Sequence, residues 1–328
     1  MINRLLKQKE TLLILIVIIL STIIALINPT FLKIENFVDL MKGNSVLGIM
    51  ALGMLIVLIS GGIDLSITGI ITLTSVITGI LLRNTTFSLG LIILICVLVG
   101  GFVGLINGLI ITRFEIPPIV VTLGTNSILM GLILYETEGN MITGLPQWFK
   151  NFGVLSIFKI GNLKLPIQTF LYLIVFLLVF LLINYTVIGR GFYAIGGNEI
   201  SAMRVGYNVK LIRTLVYVFN GMLVGFAGII NTSIVQGVNP NTYIGTDMLV
   251  ISIAVIGGAS ILGGVGTVTG TLLGTILMAI INNGLILAKV PTFWQKIAMG
   301  VIILIAISID ILNYKKQKLK LIKVDIED

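Results

Sequence analysis

The sequence predicts an all-α membrane protein of about ten transmembrane helices in two inverted, glycine-packed halves. Composition, the spacing of the apolar runs and a short internal repeat carry that prediction. Of 328 residues, 57% are hydrophobic and 10% charged, and mean hydropathy is +1.14. A chain so poor in charge lacks the polar surface that a water-soluble fold of this length needs.

Apolar runs long enough to cross a bilayer fall near residues 11–27, 45–60, 65–82, 87–111, 119–135, 166–184, 214–234, 248–262, 267–287 and 293–312. An even number of spans leaves both termini on one side. Arg4, Lys7 and Lys9 at one end, and Lys315, Lys316, Lys318, Lys320 and Lys323 at the other, mark that side as the cytoplasm. The basic start followed by an apolar run looks like the opening of a signal peptide. Ile27, Asn28 and Pro29 follow the run where small residues would mark a cleavage site, so the first span is expected to stay.

The whole chain, 1–328, reads as one polytopic domain. Its halves, about 45–135 and 214–312, are joined by an outer loop (136–165), a span (166–184) and a cytoplasmic loop (185–213). The repeat aligns Asn107 to Gly124, NGLIITRFEIPPIVVTLG, on Asn283 to Gly300, NGLILAKVPTFWQKIAMG; ISGGIDLS from Ile59 loosely resembles IGGASILGG from Ile256. Five spans separate the aligned hairpins. Because five is odd, the copies are inverted across the membrane, an arrangement used by transporters. Glycines at Gly100, Gly104 and Gly108, at Gly221 and Gly225, and at Gly266, Gly270 and Gly274 recur every fourth residue, which lets helix backbones approach closely in lipid.

Several chemistries are excluded. With no histidine, a Ser-His-Asp triad and a histidine zinc helix are impossible, and a lone cysteine, Cys96, allows neither an internal disulfide nor a cysteine metal site. No carboxylates pair within one span, which argues against an intramembrane enzyme. The net charge of +8 is spread over loop ends and the tail without interleaved aromatics, so nucleic acid is not the expected partner. No Gly-Lys pair occurs, so the phosphate loop GxxxxGK[ST] is absent.

Asp64, in SGGIDLSITG, is the notable charge near a span. It reads as an N-cap of the third span, after a turn at Gly61 and Gly62, or as a lining or gating residue. Asn107, Asn126, Asn220 and Asn283 are, with Asp64, the candidates for a solute path, since amides facing lipid are penalised and a neutral polar solute needs donors and acceptors. Thr125, Asn231 and Asn282 belong to the same polar set. The loop from Gly189 to Arg213 carries Arg190, Arg204, Lys210 and Arg213 against Glu199. Asn198 as cap, Glu199 in the first turn, Arg204 in the last and Gly206 as terminator predict a short helix there. Its apolar residues, Ile200, Ala202, Met203 and Val205, need something to dock on, because two turns are not stable alone in water.

ALGMLIVLISGGIDLSITGIITL from Ala51, AIGGNEISAMRVGYNV from Ala194 and the glycine-rich run from Gly237 to Leu285 resemble the membrane permease subunits of monosaccharide ABC importers, the ribose-transport permease and its relatives. The likeness runs from Gly48 to Ile309. It implies that Gly197, Asn198, Glu199, Ala202 and Arg204 meet an ABC ATPase subunit. It further implies that ATP and Mg are bound by that subunit rather than by this chain, which needs no cofactor of its own. A second permease copy, in a homodimer or heterodimer, and an extracytoplasmic sugar-binding protein are also implied, as is the bacterial cytoplasmic membrane. The implied cargo is a pentose or hexose. A nucleoside or branched-chain amino acid permease, and a secondary carrier working alone, are the competing readings.

Overall fold

The computed structural model describes residues 9–160 and 163–302, with 304, 305, 308, 311 and 312. The basic residues called on at the two extreme termini lie outside the described residues, except Lys9.

Helix α1 (Lys9–Ile27) runs into a 3₁₀ turn, Pro29–Leu32, capped by the Asn28 side chain, which accepts from the Thr30 N–H at 3.0 Å. Helix α2 (Ile34–Ile59) starts well before its expected boundary, because Glu35, Asp39 and Lys42 break the apolar run without breaking the helix. From Ser45 to Ser60 every residue but Leu47 is buried. A helix apolar all round belongs inside a bundle, and α2 is the central rod. Against it pack α7 (Ile167–Tyr185), α10 (Val209–Val235), α11 (Thr246–Ile256) and α12 (Val268–Leu287).

Between these lie α3 (Ile67–Asn84), α4 (Leu89–Phe114) and α5 (Pro118–Thr137). The expected outer loop carries regular structure, a short amphipathic helix α6 (Gln147–Val154) and an antiparallel hairpin, β1 (Ser156–Ile160) with β2 (Leu163–Pro166). The loop 185–213 folds as two helices, α8 (Val187–Gly197) and α9 (Glu199–Arg204). Helix resumes at 292–302.

Eight of these helices are long and apolar enough to cross a membrane. The span expected at 248–262 is instead the 11-residue α11 followed by irregular backbone to Thr267. At 1.5 Å per residue α11 reaches only about half of a 30 Å hydrocarbon layer. Gly257, Gly258, Gly263, Gly264 and Gly266 stop the helix there, although hydropathy continues through them.

The glycine rows of α4 and α10 meet each other. A Cβ at Gly100 would collide with the Gly221 carbonyl, one at Gly104 with the Tyr217 carbonyl, and one at Gly225 with the Cys96 carbonyl. Gly270 and Gly274 of α12 face Gly257 and Ile253 of α11 in the same way. Gly266 precedes α12 at φ 157°, so it is a loop glycine and not part of that row.

The hairpin repeat is present in the backbone. Glu115 ends α4 and Lys289 follows α12, both left-handed at φ 56°. Two residues later stands Pro117 in the first copy and Pro291 in the second, and each proline carbonyl accepts from the N–H groups three and four residues on. The backbones match at Glu115 and Lys289, two residues away from the register that the ungapped alignment gives.

Loops that strict alternation puts on one side do meet. At one end, Ile142 and Val238 form a bridge and the Asn28 side chain donates to the Leu287 carbonyl at 3.1 Å. At the other end, Glu10 accepts from Thr267 at 2.8 Å and from Thr269 at 2.5 Å, and the 60–62, 112–118 and 199–213 segments line one cleft.

Candidate functional site

The site is built on two interruptions of helix. The first, Ser60–Ser66, ends α2 in a Schellman motif: Gly62 N–H donates to the Val57 carbonyl at 3.0 Å and Gly61 N–H to the Leu58 carbonyl at 2.9 Å, with Gly61 at φ 78°. The second ends α11 with the same pattern. Ala259 N–H donates to the Ala254 carbonyl at 3.0 Å and Gly258 N–H to the Val255 carbonyl at 2.9 Å, with Gly258 at φ 97°. Non-helical backbone at membrane depth is tolerated only where protein covers it. Here it is covered and partnered: Gly264 N–H donates to the Ile59 carbonyl at 2.8 Å, and Ser260 N–H to the Val265 carbonyl at 2.9 Å.

Asp64 is the anchor of the first break. It is fully buried, and its Oδ1 accepts from the Ser66 N–H at 2.9 Å and the Ser66 hydroxyl at 2.5 Å. Its Oδ2 accepts from Asn220 Nδ2 of α10 at 2.8 Å. The chain continues outward: Asn107 Nδ2 donates to Ser66 Oγ at 2.9 Å, and the Thr125 hydroxyl donates to Asn107 Oδ1 at 2.6 Å. A parallel link joins Leu65 N–H to Thr122 Oγ1 at 3.1 Å, and Thr68 to Asn126 Oδ1 at 2.8 Å. One carboxyl thus ties α3, α4, α5 and α10 around the break. Ser66, not Asp64, occupies the N-cap position of α3; Asp64 makes the Asx turn just before it. The cap expected at Asp64 is corrected by two residues, because α3 starts at Ile67 rather than Leu65.

Of the five path candidates, Asp64, Asn107 and Asn220 share this network and are fully buried. Asn126 is half-buried on α5, beside exposed Gly124 and Ser127. Asn283 is elsewhere: it exchanges two hydrogen bonds with Asn36 of α2, at 2.9 and 3.1 Å. The sequence reading missed Ser66, whose signal was its place two residues after Asp64, the Asx spacing. It also missed Tyr217, whose buried hydroxyl has no hydrogen-bond partner among the described residues and stands over Gly62.

The 185–213 loop lies at the same end as both breaks. Asn198 Oδ1 accepts from the Ser201 N–H at 2.9 Å, Glu199 and Arg204 occupy the first and last turns, and Gly206 terminates α9 at φ 93°. Ala202 is buried, while Ile200, Met203 and Val205 are 60%, 52% and 73% exposed. Arg213 of α10 holds Glu199 at 2.7 Å, the one ion pair among the described residues. A cleft of about 520 Å³ opens between α9, the α4–α5 turn and the first break, with Glu115, Lys210, Arg213 and Tyr217 in its walls.

Broken helices at a network of amides, with a separate short helix seated beside them, define a multi-pass membrane transport subunit. The chain belongs to the family described as branched-chain amino acid transport system / permease component, which matches residues 36–307. It is 35% identical over 293 residues to the ribose import permease protein RbsC of Bacillus subtilis, covering 89% of each chain. It is 33% identical over 317 residues to the galactose/methyl galactoside import permease protein MglC of Escherichia coli K12, covering 92% of this chain and 94% of that one. The ribose import permease of Haemophilus influenzae is 33% identical over 298 residues. No solved structure matches.

Proposed function

We propose that this chain is the permease subunit of an ABC importer for a monosaccharide, a pentose or hexose. The ribose and galactose import permeases similar to it along nearly their full length support the cargo class over amino acids or nucleosides. The exposed apolar side of α9, in a loop otherwise rich in charge, is the observation that carries the mechanism. Ile200, Met203 and Val205 form an exposed apolar foothold that suits an ATPase subunit, which would bind ATP and Mg. In this reading Gly197, Asn198, Glu199, Ala202 and Arg204 shape the contact, both termini are cytoplasmic, and the membrane is the bacterial cytoplasmic one.

Two copies would then enclose the path, with a sugar-binding protein docking at the opposite end on the 136–165 segment. Because Asp64, Asn107 and Asn220 are sealed in the interior, they frame the break rather than touch solute. The wall falls to the half-exposed side of α5, where Gly124, Asn126 and Ser127 lie. ATP-driven movement of α9 would rock the halves about the α4–α10 glycine contact.

Co-expression with an ATPase and a sugar-binding protein, followed by reconstitution in liposomes, tests this. Uptake of labelled ribose or galactose that requires both partners and ATP is the expected result. Solute exchange by this chain alone would establish a secondary carrier instead.

A further inference from the structure

Three backbones cross at the C-terminal turn of α8. A Cβ at Gly196 would collide with the Ile59 carbonyl, the last of α2, and the same carbonyl accepts the Gly264 N–H at 2.8 Å. A Cβ at Gly263 would stand 3.0 Å from the Cα atoms of both Gly196 and Gly61, and one at Gly264 2.9 Å from the Gly197 Cα. The close approach demands glycine at Gly196, Gly263 and Gly264, and Gly61, Gly263 and Gly264 need it for φ of 78°, 92° and 72°. One turn back on α8, the Tyr193 hydroxyl donates to the Gly266 carbonyl at 2.7 Å. Burial pushes that hydroxyl above its ordinary pKa, so it remains a neutral donor.

On the other side of the crossing, α8 is joined stiffly to α9. Asn198 is the sole residue between them; its N–H donates to the Ala194 carbonyl at 3.1 Å, and its side chain caps α9. A displacement of α9 therefore cannot be absorbed by a flexible linker. It arrives at a point where α8 touches the end of α2 and the loop after α11 together.

We infer that Tyr193 and Gly196 are positioning residues for transport, forming a joint through which α9 moves both helix breaks at once. The inference rests on the import reading for its use, though the mechanical link does not. Each half contributes one break, so a single push is shared between halves without travelling through the bundle core. Close packing makes such a junction bistable rather than compliant.

Hydrogen exchange on the full-length chain in lipid nanodiscs tests the link directly. Tyr193→Phe removes one hydroxyl and keeps the ring. Faster exchange, by tenfold or more, in both the 59–66 and the 257–267 peptides is the expected result; a change confined to 257–267, or none, overturns the joint. In the complex reconstituted with its ATPase, Tyr193→Phe should lower solute moved per ATP several-fold with assembly intact. Gly90→Ala, where a Cβ meets open space, should leave the ratio unchanged. A wild-type ratio in Tyr193→Phe also overturns the joint. A wild-type complex that moves no sugar would sink the import reading alone, and the exchange result would still decide the link.

Discussion

The guanidinium of Arg213, on α10, grips the Glu199 carboxylate of α9 at 2.7 Å. The pair ties the short helix to α10, so Glu199 contacts its own chain as well as lying in the loop predicted to meet an ATPase. Glu199→Lys sets a cation against Arg213 and near Lys210. An exposed pair is worth only about 0.2–1 kcal/mol, so yield and membrane insertion should hold. ATP-driven transport should fall roughly tenfold, since about 1.4 kcal/mol on a docking equilibrium is enough. Exchanging the two charges, Glu199→Arg with Arg213→Glu, should recover most of the loss. Transport at the wild-type rate in Glu199→Lys would remove α9 from the coupling contact.

Asp64 separates two substitutions that look alike. Asp64→Ala strands the Ser66 hydroxyl, the Ser66 N–H and the Asn220 amide, and each buried orphan costs roughly 1–3 kcal/mol. The purified variant should lose much of its thermal stability. Asp64→Asn keeps an acceptor for Ser66, and Asn220 Oδ1, buried with no partner among the described residues, can turn to accept from the new amide. Its loss should be smaller by more than half. Equal melting temperatures for the two variants would show that the network does not hold the break.

What was readable in the chain follows a physical line. Boundaries set by hydropathy fell within a few residues for α3, α5, α7 and α12, because lipid selects apolar length directly. The start of α2 was missed because helix continues through Glu35, Asp39 and Lys42, where hydropathy ends. The end of α11 was missed for the opposite reason: Ile256 to Val265 stays apolar while glycines end the helix. The α9 cap, its terminal Gly206 and its charge placement were legible, since capping is local. The three-way crossing at Gly196 was not, because nothing in a one-dimensional string says which glycine meets which. Asp64 was singled out by its cost. Its direct partner Asn220, and Asn107, which reaches it through Ser66, were singled out separately as amides, and only the fold brought them into one network.

The α4–α10 seam should be the least tolerant surface in the molecule. At Gly104 any side chain meets the Tyr217 carbonyl, a backbone atom that cannot swing away. Overpacking generally costs about 1–3 kcal/mol even among flexible side chains. Gly104→Leu should therefore abolish monodisperse protein in detergent. Gly131→Leu on α5, where a Cβ would meet open space, should purify normally. Size-exclusion profiles of the two compare them directly, and a normal profile for Gly104→Leu would mean the seam is looser than its backbone distances.

Left-handed residues give a prediction of opposite sign. Lys289 and Glu138 hold φ of 56° and 51° without being glycine, whereas Gly258 holds φ of 97° at an equivalent helix end. The left-handed conformation costs an L-residue about 1–2 kcal/mol. Glycine gives back roughly 0.4–1 kcal/mol through the freedom of the unfolded chain. The first quantity is the larger, so Lys289→Gly and Glu138→Gly should each raise the melting temperature slightly, and Gly258→Ala should lower it. Lys289 is exposed, so its substitution removes no packing that would mask the gain. A lower melting temperature for Lys289→Gly would show that its side chain contributes more than its backbone conformation costs.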